Sequence, residues 1–167
     1  MIGAGFGVLG GAAALGALTA APAHASSINA GFWSYGPLRV ADSRTGLGTT
    51  KAKIRGGQRR TIPFTKYFGT GHSITAVLNL TVTETEGGSF LTLWETGRSR
   101  PNTSNINWWG ANQTYGNLAV AGLRSSDVSV DVYCGGTTAG THFVLDLLGY
   151  YWDDNPARTR PPVELRS

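Results

Sequence analysis

Cysteine is almost missing from this chain. A single one, Cys134, occurs in 167 residues, so no intrachain disulfide can form. Histidine is nearly as scarce, with only His24, His72 and His142. No H-x-H, H-E-x-x-H or paired-cysteine spacing occurs, and a zinc site needs three or four protein ligands. A D-x-D-x-D calcium loop and a G-x-S-x-G nucleophile elbow are absent too. No metal, cofactor or catalytic residue is therefore read from the sequence. Charge is thin: 14 Lys and Arg against 10 Asp and Glu, a net of +4. The basic residues are scattered, with no run longer than Arg59-Arg60. A nucleic-acid reader clusters them on one face or helix, so nucleic acid is not an expected partner. After residue 30 no long stretch carries apolar residues at helical spacing.

What is present in quantity is glycine, at 24 residues, with Thr and Ser through the middle of the chain. That composition favours short strands and tight turns. The first 25 residues, ending Ala23-His24-Ala25, are apolar and uncharged, and the small-x-small ending fits cleavage of a signal peptide. No Lys or Arg precedes the apolar run, so a retained membrane anchor is the alternative, and the only expected route to a membrane. The tail from 153 to 167, DDNPARTRPPVELRS, has three prolines and mixed charge and reads as disordered. Between them, residues 26–152 read as one domain.

Alternation and turn signals predict strands over 38–41, 53–55, 59–64, 73–83, 89–95, 105–108, 114–122, 128–133 and 141–152. In TAVLNLTVTET, Ala76, Leu78, Leu80 and Val82 share one face and Val77, Asn79, Thr81 and Thr83 the other. Glu86-Gly87-Gly88 reads as a hairpin turn, and Gly135-Gly136 as a second one. Many short strands at this spacing predict an all-β, single-domain antiparallel sandwich or jelly roll.

Several segments then fall into a familiar order: LRVADSRTGLG, ITAVLNLTVTETEGGSFLTLWETGRSRPNTSNINWWGANQTYGNLAVAGL, and VSVDVYCGGTTAGTHFVLDLLGYY. From Leu38 to Tyr151 the chain resembles a β-rich accessory domain of secreted and surface proteins of actinobacteria and some of their phages. Its pattern is DTR-x-G-x-G, AV-x-N-x-T, G-[FY]-LT, P-x-x-S-x-x-N and D-x-x-GY-[FY]. The resemblance implies an exported module, alone or appended to cell-wall hydrolases, without established catalysis. Two departures are Ser43 for the Thr of DTR, and Cys134 where a polar residue is usual.

Three constellations are candidates for chemistry. Asp146 interrupts the apolar run THFVLDLLGYY, facing the same way as His142, Val144, Leu148 and Tyr150. Catalysis would need a second acid, a base or a nucleophile nearby, with Asp42 the closest by motif. The favoured reading is a buried ion pair, Asp146 with Arg44, tying the opening loop to the closing strand. Cys134 and His142 flank a short turn and superficially suggest a Cys-His pair, but no orienting third group is evident. The segment Gly97–Asn117 offers Trp108, Trp109, Tyr115, Asn105, Asn107 and Asn112, aromatic faces beside amides, as suits a sugar. The alternative is that the Asn and Ser side chains only cap an irregular crossing loop. Adjacent strand residues face opposite sides, so Trp108 and Trp109 cannot both be core.

These readings converge on a secreted, extracellular, non-catalytic surface module that binds cell-wall glycan or another surface protein. Its rivals are a purely structural β-domain and a small exported hydrolase using Asp42, Asp146 or Cys134 with His142.

Overall fold

A computed structural model of the protein describes residues 30–70, 74–124 and 126–153. The expected signal segment, the tail beyond Asp153 and His72 lie outside them. Among the described residues the elements are β1 (Ala30–Asp42), β2 (Ile54–Arg55), β3 (Arg59–Pro63), α1 (Thr65–Phe68), β4 (Ile74–Glu86), β5 (Ser89–Glu95), β6 (Ile106–Trp108), β7 (Tyr115–Leu123), β8 (Ser129–Cys134) and β9 (Gly140–Asp153). One sheet has the order β1-β9-β4-β7, with β2 also beside β9, and the other β3-β8-β5-β6. All pairings are antiparallel. The fold is the all-β sandwich that the alternation predicts.

The core lies between the sheets because period-2 patterning gives each strand one apolar face. In β4, Ala76, Leu78, Leu80 and Val82 are wholly buried while the residues between them are half-exposed. The opposing sheet contributes Ile62, Leu91, Val130, Val132, Cys134 and Trp108, also fully buried. Burial of a Val- or Leu-sized side chain stabilises by roughly 1.5–3 kcal/mol, so these paired faces dominate the stability of the domain.

β1 begins at Ala30, well before the predicted 38, and β9 takes in Asp153, which read as the start of the tail. Three details of the chain path also depart from the sequence reading. Glu86-Gly87-Gly88 does not close a hairpin: β4 and β5 belong to different sheets. The Gly135-Gly136 turn likewise carries the chain between sheets, from β8 to β9. Strand alternation alone does not say whether a turn pairs its flanking strands or passes from one layer to the other. Third, Tyr150 does not share the face of Asp146. On β9 the register against β4 slips between Leu147 and Gly149, where β4 advances only from Leu78 to Val77. That bulge inverts the parity, so Tyr150 and Trp152 turn into the core.

The single-turn helix α1 was not predicted. Phe64, Tyr67 and Phe68 lie at one-turn spacing, and Phe68 meets Tyr150 edge-on at 5.1 Å. The turn thus packs its aromatic rings into the core beside Tyr150. Four residues are too few for a periodicity signal read over 11–18 residues.

Candidate functional site

The opening loop is organised around Asp42, not Asp146. The Asp42 carboxylate is nearly inaccessible, with 3% of the side chain exposed. It accepts the Arg44 backbone N–H at 2.9 Å and the Arg44 Nε and Nη2 at 3.0 and 2.7 Å. Arg39 Nη1 adds a longer contact at 3.5 Å. Hydrogen bonds from Arg44, followed by the neighbouring guanidinium charges, hold the Asp42 carboxyl below its ordinary range despite burial. The expected Arg44–Asp146 pair is therefore not formed. Asp146 instead takes Arg39, its cross-strand neighbour in the β1–β9 register, with Nε and Nη2 at 2.9 and 3.4 Å. Nor is this pair buried, since the Arg39 side chain is 47% exposed. Arg44 prefers Asp42 because a carboxylate two residues away offers both a fork and an acceptor for its own N–H, with little chain entropy lost.

The loop is fastened to the closing strand by Ser43. Its N–H donates to Phe143 O at 3.0 Å, and its Oγ accepts the Phe143 N–H at 2.9 Å. The same Oγ lies 3.0 Å from His142 Nδ1, and His142 Nε2 lies 4.0 Å from a Glu84 oxygen. These are the atoms of a nucleophile, base and acid in order. However, Ser43 is fully buried, and its hydroxyl is committed to two bonds, so no face of that oxygen is open to an incoming carbonyl. The Ser at this place in the DTR-like motif keeps the hydroxyl that a Thr would supply.

The Cys134–His142 pair is not assembled either. Cys134 points into the core from β8, whereas His142 lies on the other sheet with Ser43 as partner. Desolvation pushes the Cys134 thiol up to about 11, and its Sγ lies 3.6 Å from Gly135 O. Buried and protonated, it lacks the thiolate character and access that nucleophilic attack or disulfide exchange requires.

Asp146→Ala should cost about 1 kcal/mol or less, as for exposed pairs, not the several kcal/mol of a buried one. In urea melts, Asp146 should couple to Arg39 more strongly than to Arg44. A larger coupling to Arg44 would refute this pairing.

The segment Gly97–Asn117 divides into structural and exposed residues. Trp108 is wholly buried and Trp109 is 79% exposed, the opposite orientations that adjacency demands. Asn105 serves the fold: its Oδ1 accepts the Leu93 N–H at 2.7 Å, and its carbonyl accepts Asn117 Nδ2 at 2.6 Å. Asn112 also belongs to the frame. It has φ 56°, left-handed backbone that Asn tolerates better than most residues, and its N–H donates to Thr85 O at 2.7 Å. The turn is further held by Gln113, whose Oε1 accepts the N–H of Trp109 and of Gly110 at 2.9 and 3.0 Å. Thr85 Oγ1 donates to Gly110 O at 2.7 Å and accepts the Gln113 N–H at 2.8 Å. Trp109 thus stands in solvent on a pinned corner between the two sheets. Tyr115, 41% exposed, follows at the start of β7.

No family model matches the chain. Nor does any curated protein match it in sequence.

Asn107 belongs to a second exposed surface, on the outer side of β5, β6 and β8. It lies opposite Phe90 in the β5–β6 register and donates from Nδ2 to Ser104 Oγ at 2.9 Å. The loop 96–105 folds over this face: Thr92 Oγ1 donates to Thr103 O at 2.7 Å, and Trp94 Nε1 to Arg98 O at 3.0 Å. Between loop and sheet lies a cleft of about 180 Å³ lined by Phe90, Arg100, Asn102, Thr103 and Ser104. Phe90, Arg100 and the adjacent Tyr133 were not singled out from sequence. They come from two strands and a loop, and no local spacing joins them. Among the described residues no group of three His, Cys, Asp or Glu could hold a metal ion, and no helix is long and apolar enough to cross a membrane.

Proposed function

We propose that the protein is a secreted, non-catalytic surface module that attaches to cell-wall glycan or to another surface protein. The observation that carries this reading is Trp109. Its indole is 79% exposed, and the backbone around it is fixed by five hydrogen bonds to Thr85 and Gln113, so a flat apolar face is held in place at the surface. Such preorganisation lowers the entropy lost on binding, and an indole face suits the CH side of a sugar ring. The order of motifs from Leu38 to Tyr151, which resembles that of exported actinobacterial modules, supports the same reading. A scaffold role draws its support from Asn105, Asn112 and Gln113, whose backbone or amide groups serve the fold, but none of them accounts for the exposure of Trp109.

Retention on purified cell wall tests the proposal. Trp109→Ala should leave Tm nearly unchanged, since a surface substitution costs within about 0.5 kcal/mol. It should weaken retention by about tenfold or more, as for the aromatic centre of a contact. Unchanged retention, or no retention of the native protein on wall or surface-protein fractions, overturns it.

A further inference from the structure

We propose that the cleft between loop 96–105 and β5 binds the carboxylate of an acidic sugar, with Arg100 as its anchor. This rests on the glycan-binding reading above and adds a chemical class and a site separate from Trp109.

Arg100 carries the argument. Its guanidinium carbon lies over the Tyr133 ring, 4.4 Å from the centroid, a cation–π contact that holds the head group against that ring. Among the described residues the other arginines have protein partners: Arg39 and Arg44 on Asp42 and Asp146, Arg55 on Glu86, Arg59 on Asp131, Arg98 and Arg124 on Glu95, and Arg60 on the carbonyls of Thr50, Ala52 and Lys53. Arg100 has no carboxylate within ion-pair distance among the described residues. Its N–H edges stay available while one face is held, the geometry that recognises a carboxylate bidentately.

The surroundings select a sugar over a bare anion. Phe90 forms one wall, and its position is set by Gly135, where an added Cβ would come within 2.1 Å of the ring. Asn102 and Ser104 line the same space, and an amide and a hydroxyl can both donate to and accept from sugar hydroxyls. The volume, about 180 Å³, is smaller than the roughly 300–1,000 Å³ of drug-sized sites. It suits one ring or its acidic substituent, with the rest of a polymer running outside.

The test uses the intact protein, with D-glucuronate, D-glucose and inorganic phosphate as probes, followed by NMR shifts of the Phe90 and Tyr133 rings. Glucuronate should shift both rings, and its binding should weaken with rising salt. Arg100→Gln should weaken it by about ten- to a hundredfold, as for loss of a charged hydrogen-bond donor. Arg100→Lys, which keeps the charge and loses the fork, should fall between. Unaltered Tm in both variants keeps the comparison about binding. Equal binding of glucose overturns the carboxylate assignment, and equal binding of phosphate overturns the sugar assignment. No ring shift with any probe overturns the site. That last failure is distinguishable from failure of the surface-module reading, because wall retention dependent on Trp109 would persist.

Discussion

Trp108→Ala should cost about 3–5 kcal/mol, the range for emptying a fully buried Trp site, and should lower Tm more than any other single change considered above. Trp108 is wholly inaccessible and sits on β6, a three-residue strand at the edge of its sheet opposite Ser89. So short a strand has few ladder bonds, and the indole does much of the work of holding it to the core. The contrast with Trp108→Phe sharpens the prediction. The buried indole Nε1–H has no acceptor, so Phe loses volume but no hydrogen bond, and it removes a donor whose desolvation costs about 1–3 kcal/mol. Phe should therefore retain most of the stability that Ala loses. Urea unfolding of the two variants checks this. Equal losses would mean that the indole nitrogen, not its bulk, holds the strand.

Asp42→Ala should follow, at about 2–3 kcal/mol, the scale of hydrogen bonds to a charged group. The loss is smaller than for a fully buried pair because Arg44, 40% exposed, can turn to water. The loop 42–47 should loosen only in part, since the backbone of residue 42 still ties it: its N–H donates to Leu47 O at 2.9 Å, and its carbonyl accepts the Gly46 N–H at 2.9 Å. The acid side carries a signature. The carboxyl of Asp42 is held lower in the folded protein than in the unfolded chain, so the unfolded state binds its proton first as pH falls. Its stabilisation is full above about pH 4, the ordinary carboxylate value, and is lost as pH falls through the lowered folded value. Asp42→Asn keeps an acceptor for the Arg44 N–H but cannot titrate. Its stability should therefore fall less steeply than that of the native protein below about pH 4. Parallel curves would show that Asp42 does not contribute to acid unfolding.

The strands themselves were legible because period-2 patterning is local: Ser89–Glu95 matches its predicted bounds, and β4 alternates as read. The opposed fates of Trp108 and Trp109 followed from adjacency alone. What was not legible depends on register and layer. Whether Gly87 turns a strand back or across is a tertiary matter, and the bulge that sends Tyr150 inward leaves no mark in THFVLDLLGYY. Arg39 ranks behind Arg44 in the sequence as a partner for Asp146, because the β1–β9 register that sets Arg39 opposite Asp146 is not local information. Ser43, the real tie between opening loop and closing strand, read only as a departure from the DTR pattern, because its partner Phe143 lies 100 residues away. The cleft was invisible for a further reason: Phe90 and Tyr133 meet only after β5 pairs with β8.

The pairing of β1 with β9 sets Ala30 opposite Asp153, so the described chain enters and leaves at one end of one sheet, about 5 Å apart. Tension applied there would act across the strands, along the direction of the ladder bonds, and open them one rung at a time. A strand pair loaded lengthwise would instead have to shear many bonds together. Under such a pull each rung between β1 and β9 would carry the whole load in turn, so this pair of strands would part at low force while the core between the sheets stayed packed.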